Sequence, residues 1–360
     1  MRDDTQTRKR DHINLCLDLG SGVEYSRKTT WLEYVELIHE AVPELDLEEI
    51  STEARLLGRA FKLPVLIEGM TGGTPEAYEI NRSLAEAAEK LGIPIELGSQ
   101  RAALTDPGLE YTYKVAREAA PKAFLIGNIG AVQLAKEGVT AAEKAVEMIE
   151  ADALALHLNS LQELVQPEGS AFFRGVLRAV REASEKLPVP LIAKEVGTGI
   201  SGETAKALVE AGVRVIDVAG AGGTNWAKIE LERSRGVAPA KFSIAEVFLE
   251  WGIPTAASVL EVSSAVEGVE VIASGGIRDG LQAAKALAIG ADFVGIARPL
   301  LKPATQGPEA VVKNIAEIGE QLKTAMFLTG VKSVNDLKKK KRYVLLGPLL
   351  EWIRQRLRAL

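Results

Sequence analysis

Short apolar runs recur along the chain at intervals of roughly thirty residues, and amphipathic segments separate them, as in successive βαβ units. Such a run, bounded by turn residues, is typical of a parallel strand buried on both faces. The eight predicted strands are Val65–Met70, Ile95–Gly98, Ala123–Asn128, Ala153–His157, Pro190–Glu195, Arg214–Val218, Glu270–Ser274 and Asp292–Ile296.

The segments between these strands carry the period of amphipathic helices. Clear cases are Glu76–Leu91 and Ser201–Ala211, and Gly212 follows the second as a helix stop. Eight strands alternating with helices predict an α/β fold, a (β/α)8 TIM barrel. An open doubly wound sheet is the alternative, but it would normally carry Gly-x-Gly-x-x-Gly after its first strand, and Met70-Thr71-Gly72-Gly73 does not match that motif.

We expect a single domain over residues 1–360, in which additions surround the barrel. The barrel is assigned to 61–300, after an N-terminal extension at 1–60 and before a C-terminal helical segment at 301–360. The interval between the sixth and seventh strands is longer than the others, so we place an insertion over the barrel mouth at about 223–253. Long loops often form lids or binding loops, and a surface insertion without a role is the alternative.

Composition agrees with a parallel α/β protein and excludes several other classes. Hydrophobic residues make up 47% of the chain, aromatic residues 5%, and 33 glycines suit many tight turns. The single cysteine, Cys16, excludes an intramolecular disulfide and a cysteine-rich metal site. A net charge of −6 provides no global basic surface for nucleic acid. No apolar run approaches the ~18 residues of a membrane span, and no signal peptide is recognisable, so we expect a cytoplasmic protein with neither nucleic-acid nor membrane partners.

Polar residues and glycines follow six of the predicted strands. In a barrel the carboxyl ends of all strands meet at one mouth, which carries catalysis. Each segment alone could be an ordinary turn, but six at one mouth favour an active site. The segments are Met70–Gly73, Gly98–Arg101, Gly127–Asn128, His157–Asn159, Lys194–Glu195 and Gly275–Arg278.

The loops after the last three strands, two of which are rich in glycine, predict a phosphate site. The loops are Ala219–Thr224, Ser274–Gly280 and Ala297–Pro299. Glycines let backbone N–H groups approach phosphate oxygens, and barrels often hold a phosphate after strands seven and eight. Arg278 favours a phosphate over a simple turn, because a guanidinium can bind two phosphate oxygens.

Two further groups of residues are candidates for ligand binding. His157, Asn159, Gln162 and Glu163 follow the fourth strand. One carboxylate with amide and imidazole neighbours is a poor zinc site but suits Mg²⁺, which keeps water and substrate phosphate as ligands; a structural barrel histidine is the alternative for His157. The second group is the basic run at 8–10 with His12, which is solvated unless the extension folds over an anion. We interpret the basic run at 338–342 as a solvated face.

A set of motifs spread over the chain is specific in combination: Arg8-Lys9 with His12, Met70-Thr71-Gly72-Gly73, Ser99-Gln100-Arg101, His157-Leu158-Asn159 with Gln162-Glu163, Gly222-Gly223-Thr224 with Trp226, and Gly275-Gly276-Ile277-Arg278. Together they resemble type 2 isopentenyl diphosphate isomerase, a family of FMN-dependent (β/α)8 barrels. The resemblance runs from the basic extension to the last barrel strand.

The resemblance implies reversible isomerisation of isopentenyl diphosphate to dimethylallyl diphosphate in isoprenoid biosynthesis. A proton would be added to the terminal methylene and another removed from the carbon nearer the diphosphate, with no net oxidation. It also implies that reduced FMN acts as acid and base, that Mg²⁺ held by Glu163 binds the diphosphate, and that NADPH or another reductant primes the flavin. The expected partners are this small diphosphate substrate and further copies of the chain in a homo-oligomer, a tetramer or octamer.

The resemblance also implies roles for individual residues. Catalytic roles fall to Lys194, which we expect to stabilise the anionic reduced flavin, to His157 and Gln162, and to Trp226, whose ring would contribute about 1–2 kcal/mol over a developing cation. FMN would be bound by Met70, Thr71, Gly72, Ser99, Asn128, Lys194, Thr224, Gly275, Gly276, Arg278, Ala297 and Arg298. The substrate would be bound by Arg8, Lys9, His12, Ser99, Gln100, Arg101, His157, Asn159 and Gln162.

Other FMN-dependent barrels are the main functional alternative, as oxidoreductases of another small anionic substrate. Flavin oxidases of 2-hydroxy acids share the Gly-Gly-Ile-Arg loop but use a histidine base late in the barrel, whereas the histidines here are His12, His39 and His157. Nucleotide dehydrogenases and glutamate synthases need a cysteine, and we interpret Cys16 as a small buried apolar residue before the barrel. A non-catalytic phosphate-binding barrel is a third alternative, which fold alone does not exclude.

Overall fold

Each of the eight predicted apolar runs overlaps one strand of a closed parallel barrel, so the predicted (β/α)8 fold is confirmed; the third barrel strand extends two residues beyond its predicted end, to Gly130. This computed structural model describes residues 2–18, 22–166, 169, 171–234 and 239–356. The barrel strands β4 to β11 follow one another in sequence order, and β11 pairs with β4 to close the barrel. In chain order the strands are β1 (Val35–Leu37), β2 (Ala54–Leu56), β3 (Arg59–Phe61), β4 (Val65–Ile67), β5 (Ile95–Glu96), β6 (Leu125–Gly130), β7 (Ala153–His157), β8 (Leu191–Lys194), β9 (Val215–Asp217), β10 (Glu270–Ala273), β11 (Phe293–Ile296) and β12 (Tyr343–Leu345).

Helices pack around the barrel, and the two predicted from amphipathic patterns differ from the observed ones by one residue at an end. The first follows Thr74, whose hydroxyl accepts the N–H of Ala77, and ends at Gly92 with φ +66°. The helices are α1 (Arg2–Leu17), α2 (Pro75–Leu91), α3 (Arg101–Thr105), α4 (Tyr111–Ala119), α5 (Ala131–Glu137), α6 (Val139–Ile149), α7 (Ser160–Val165), α8 (Val176–Lys186), α9 (Gly202–Glu210), α10 (Trp226–Ser234), α11 (Pro239–Val247), α12 (Thr255–Ala265), α13 (Gly280–Ala288), α14 (Arg298–Gln306), α15 (Pro308–Leu328), α16 (Val334–Lys340) and α17 (Gly347–Arg356).

The N-terminal extension closes the amino-terminal end of the barrel with apolar side chains. The β2–β3 hairpin places Phe61 edge-on to Phe124 and Phe293, with ring centroids 5.7 and 5.8 Å apart. These rings continue a buried interior layer that includes Leu66 and Ile192. Because this end is filled by a packed core, the open space of the barrel lies at the carboxyl ends of the strands.

The C-terminal segment departs from the purely helical prediction. Besides α15 to α17 it contains β12, which pairs antiparallel with β1 of the extension, with Val35 opposite Leu345. The two strands are about 300 residues apart, so no local pattern indicates the pairing. The insertion between β9 and β10 carries α10 and α11. Within the described ranges, no helix combines the length and the hydropathy needed to cross a membrane.

Candidate active site

A cavity opens at the carboxyl ends of the barrel strands, covered on one side by α1 and α10. It brings together residues from the extension, from the strand ends and from the glycine-rich loops. The predicted site residues that line it are Arg8, Lys9, His12, Met70, Ser99, Arg101, Asn128, His157, Asn159, Gln162, Glu163, Lys194, Thr224, Trp226, Gly275, Gly276, Arg278, Ala297 and Arg298.

Three predicted site residues, Gln100, Thr71 and Gly72, lie outside this lining. Gln100 is fully buried behind the residues that line the cavity. Its Oε1 accepts the backbone N–H of Asn128 at 2.9 Å, and its Nε2 donates to the carbonyl of Ala145 at 2.8 Å. Its side chain therefore holds Asn128 in place and does not face a substrate in the cavity.

Gly72 also lies behind the wall of the cavity. A Cβ at Gly72 would come within 2.1 Å of the Tyr113 ring, so only glycine admits that ring. The Tyr113 hydroxyl in turn donates to the carbonyl of Ser99 at 2.7 Å, and Ser99 does line the cavity. The Thr71 side chain is buried, and its hydroxyl has no partner among the described residues.

The floor of the cavity is a buried group of four charged side chains, Glu68, Glu96, Lys194 and Asp217, here called the floor cluster. Lys194 Nζ lies 2.8 Å from Glu96 Oε2 and 3.4 Å from Asp217 Oδ2, and it contacts Glu68 Oε2. All four residues are at most 6% exposed. Glu68 and Lys194 face the cavity, whereas Glu96 and Asp217 lie beneath its surface.

The sequence prediction missed the three acidic members of the floor cluster, although a signal for two of them exists. Interior residues alternate along a barrel strand, so the residue two positions beyond an interior apolar side chain also points inward. Leu66 precedes Glu68 in this way, and Val215 precedes Asp217. When the same two-residue step is taken along every barrel strand, it identifies a layer of polar interior side chains directly above the layer of apolar ones.

Burial controls the protonation of the floor cluster. Burial raises the pKa of Glu68 to about 7, against the influence of the Lys194 ammonium. Burial and the neighbouring Glu68 carboxyl likewise raise the pKa of Asp217 to about 7. Burial acts to lower the pKa of Lys194, but Glu68, Glu96 and Asp217 outweigh it and hold that pKa well above its usual value. Lys194 is therefore a permanent cation whose charge is shared by three carboxyl groups.

His157 is joined to the floor cluster through Asn128. Asn128 Nδ2 donates to Glu96 Oε1, so its Oδ1 accepts a hydrogen bond, and His157 Nδ1 lies 2.8 Å from that oxygen. Burial, together with the positive charges of Lys9, Lys194 and Arg101, lowers the pKa of His157 to about 3. The imidazole is thus neutral at pH 7 and carries its proton on Nδ1, which leaves Nε2 unprotonated.

Cations from two parts of the chain form one wall of the cavity. Lys9 on α1 donates to the carbonyl of Ser99 at 3.5 Å, and Arg8 and Arg101 lie close enough to repel it. Burial, then Arg8 and Arg101, lower the pKa of Lys9 to about 7. Like charges gathered along one wall of a cavity favour a ligand with more than one negative charge.

Contacts between α1 and α10 hold the extension over the mouth. Glu230 on α10 is fully buried; its Oε1 lies 3.1 Å from His12 Nε2 and accepts Gln162 Nε2 at 3.0 Å. The His12 and Trp226 rings meet edge-on, with centroids 5.1 Å apart. Burial acts to raise the pKa of Glu230, but His12, Arg233 and Gln162 together lower it to about 2. Glu230, which the sequence analysis missed, lies one helical turn beyond Trp226.

Glu163 is the one predicted metal ligand, and its surroundings suit a weakly held divalent cation. It is 8% exposed, lines the cavity, and its Oε1 accepts Asn159 Nδ2 at 3.2 Å. A single carboxylate with neighbouring amides matches Mg²⁺, which binds through one or two protein carboxylates and completes its shell with water and phosphate.

The predicted phosphate loops meet at the opposite side of the cavity. Gly275 and Gly276 have φ of +95° and +85°, and a Cβ on Gly275 would come within 2.1 Å of the Gly220 carbonyl, so the loops after β9 and β10 require glycine there. Arg278 and Arg298 flank the loops, and both pair with Glu24 of the extension at 2.8 Å. Two guanidinium groups beside open backbone N–H groups fit a phosphate monoester such as that of FMN.

Comparison with known proteins gives one consistent result at the level of sequence. Residues 138–343 match the family model of FMN-dependent dehydrogenases. The isopentenyl-diphosphate delta-isomerase of Halobacterium salinarum is 48% identical over 360 residues, covering 99% of this chain and 98% of the relative. The protein of the same name from Ignicoccus hospitalis is 44% identical over 357 residues, covering 98% and 97%.

Solved structures support the same fold. A mutant mandelate oxidase with a monooxide FMN adduct has a TM-score of 0.63 at 20% identity, covering 96% of this chain and 100% of its own. A lactate oxidase from Pediococcus acidilactici has a TM-score of 0.67 at 15% identity, covering 96% and 94%. At these identities the likeness concerns the barrel, and chemistry has to be argued from the site.

Proposed function

Because this chain belongs to the family of isopentenyl-diphosphate delta-isomerases, on an FMN-dependent barrel, we propose that it interconverts isopentenyl diphosphate and dimethylallyl diphosphate. One observation supports the proposal most directly: two groups of cationic side chains line a single cavity. Arg278 and Arg298 suit a flavin phosphate on one side, and the wall of Arg8, Lys9 and Arg101 suits a diphosphate on the other. The space between the two groups is where a flavin ring and a short apolar chain would meet.

The residues present fit FMN, which in its reduced form would supply the group that exchanges protons with the substrate. The phosphate would be bound by Gly275, Gly276, Ala297, Arg278 and Arg298. The ring and ribityl chain would contact residues of the floor and wall, namely Met70, Ser99, Asn128, Lys194 and Thr224. The buried Lys194 ammonium would favour negative charge on the ring, tempered by its three carboxyl neighbours.

The diphosphate end of the substrate would be held by charge. Lys9, Arg8 and Arg101 provide cations. The Gln162 amide has one N–H beyond the one that donates to Glu230, and Asn159 would have to exchange its bonds to Gln162 and Glu163 for the substrate. Mg²⁺ bound by Glu163 would neutralise further phosphate charge. An anion beside His157 would raise the pKa of that imidazole, and a proton on Nε2 would then donate to a phosphate oxygen.

The apolar end needs protons moved without net oxidation. One proton adds to the terminal methylene, and another leaves the carbon nearer the diphosphate, so positive charge develops on the carbon between them. Trp226 presents an aromatic ring at the cavity, which stabilises a nearby cation by about 1–2 kcal/mol. Gln162 and His12, both bonded to Glu230, border the same region and orient the substrate.

The proposal also includes a reductant, an oligomeric state, a cellular location and partners. A dihydronicotinamide such as NADPH, or another reductant, would prime the flavin once without being consumed in each turnover. We also propose a homo-oligomer, a tetramer or octamer, located in the cytoplasm. Its partners would be the small diphosphate and further copies of the chain, without nucleic acid or membrane.

An anaerobic assay tests the proposal. Protein loaded with FMN and supplied with a reductant and Mg²⁺ should convert isopentenyl diphosphate to its dimethylallyl isomer, and omission of the reductant should abolish conversion. Folded, flavin-loaded protein that forms no isomer under these conditions would overturn the proposal. Assaying 2-hydroxy acids for oxidation tests the alternative oxidoreductase, which we expect to be inactive because the chain has no histidine after His157.

A further inference from the structure

The charges of the floor cluster do not balance. Three carboxyl groups surround one ammonium, so the cluster would carry two net negative charges if every group were ionised. All four residues are at most 6% exposed, and uncompensated buried charge is strongly unfavourable. At least one carboxyl group is therefore expected to hold a proton, as in other closely spaced buried carboxyl pairs.

Hydrogen bonding shows where that proton belongs. Both oxygens of Glu96 are occupied, one by Asn128 Nδ2 and the other by Lys194 Nζ. Asp217 Oδ1 accepts Ser274 Oγ at 2.6 Å. In contrast, Glu68 Oε1 and Asp217 Oδ2 are buried and accept no hydrogen bond within the described part of the chain, although Lys194 Nζ lies 3.4 Å from Asp217 Oδ2. One oxygen of each carboxyl group in the cluster can be chosen so that the three atoms lie within 4.8 Å of one another, and a side-chain hydrogen bond with Glu68 is among the causes that raise the pKa of Asp217.

Among the described residues, the elements packed against the cluster supply no compensating cation. Ser274, directly after β10, and Gly295 on β11 face the cluster and are uncharged. His157 on β7 is neutral and reaches the cluster only through Asn128. Glu195 follows Lys194, but its Oε2 accepts three backbone N–H groups at 2.7 to 3.0 Å in the loop after β8.

We propose that Glu68 and Asp217 share one exchangeable proton, and that the floor cluster, once it has lost this proton above neutral pH, takes it up again when the flavin ring above it is reduced. The second part rests on the proposed function, because it places the ring over Glu68 and Lys194, the cluster members that face the cavity.

The charge balance of the step is simple. A dihydronicotinamide donor transfers hydride, two electrons and one proton, to the ring, which gains one negative charge. A proton from solvent then forms an O–H bond on Glu68 or Asp217. The total charge of ring and cluster is thereby unchanged, so the reduced ring is not destabilised by an ionised carboxylate close to it.

The shared proton is testable without flavin. Infrared difference spectra of the full chain, recorded through a pH titration, should show one buried protonated carboxyl group that ionises near pH 7. Glu68→Gln should abolish that signal, and Asp217→Asn gives the same test if the first variant does not fold. Glu230→Gln is the matched control and should keep the signal. That carboxylate is equally buried, but its pKa is lowered to about 2. A folded wild type without the signal, or a signal that survives in both cluster variants, would overturn the shared proton.

The link to reduction needs the flavin-loaded protein. As the pH rises above 7, the midpoint potential of bound FMN should fall more steeply in the wild type than in Glu68→Gln. The two slopes should differ by about 30 mV per pH unit, because the wild type takes up one more proton for every two electrons. Flavin binding is measured separately by fluorescence quenching. Absence of flavin binding would refute the proposed function and leave the shared proton standing. Bound flavin with equal slopes in both proteins would refute proton uptake on reduction.

Discussion

His157 illustrates how one residue's surroundings fix its chemical state. Its low pKa comes from burial and from Lys9, Lys194 and Arg101, and its Nδ1 is oriented by Asn128. We predict by NMR a neutral imidazole protonated on Nδ1 down to about pH 3 without ligand. A diphosphate analogue should raise this pKa, since its charge opposes that of the cations. Ordinary titration of free His157 near pH 6.5 would contradict the buried, cation-flanked environment.

Glu163 can be tested at the same scale. Glu163→Gln removes the only carboxylate of the predicted Mg²⁺ site but keeps its size. We expect the Mg²⁺ concentration for half-maximal activity to rise about tenfold or more, by analogy with the loss of groups around metal sites. The visible spectrum of bound FMN should not change. Glu143→Gln, an exposed carboxylate on α6, is the control. Wild-type Mg²⁺ dependence in Glu163→Gln would remove this residue from the metal site.

At the scale of elements, α1 places Arg8 and Lys9 of the basic run in the wall of the cavity. Replacing Arg8 and Lys9 together by alanine should raise the substrate KM by about ten- to a hundredfold, the value of one or two hydrogen bonds to charged groups. The flavin spectrum should be retained, because Arg278 and Arg298 are untouched. Arg10→Ala is the matched control on the same helix, since Arg10 pairs with the exposed Glu76. An unchanged KM in the double variant would mean that α1 does not bind substrate.

The segment after α1 has a second effect, through Glu24. Its carboxylate binds Arg278 and Arg298, the same donors that a flavin phosphate would use. Glu24→Gln should therefore tighten FMN binding about three- to tenfold, a modest gain because these pairs are partly exposed. Riboflavin, which has no phosphate, should bind both proteins equally. Weaker FMN binding in the variant would instead show that Glu24 positions the arginines for the cofactor.

At the scale of the whole molecule, the sequence predicted the barrel well because buried parallel strands are continuous apolar runs. It also predicted the residues that follow them, since all strand ends share one mouth. It failed where a contact joins distant parts of the chain. β12 pairs with β1, and Glu230 meets His12, across more than two hundred residues. The direction of Gln100 depends on α6 behind it, which no local pattern contains.

The floor cluster also makes the stability of the whole molecule depend on pH, and the direction follows from its raised pKa values. Glu68 has a pKa of about 7 in the folded chain, against an ordinary value of 4.5, so low pH favours the folded protein. That contribution is present below pH 4.5 and is lost as the pH rises through 7. The loss is on the order of 3–4 kcal/mol, because the pKa is raised from 4.5 to about 7 and each pKa unit corresponds to about 1.4 kcal/mol. Glu68→Gln removes this ionisation, so the free energy of unfolding of the variant relative to wild type should be higher at pH 8 than at pH 5. Denaturant titrations at the two pH values measure this difference, and Glu143→Gln should show none. An equal effect of Glu68→Gln at both pH values would mean that Glu68 keeps its charge in the folded protein.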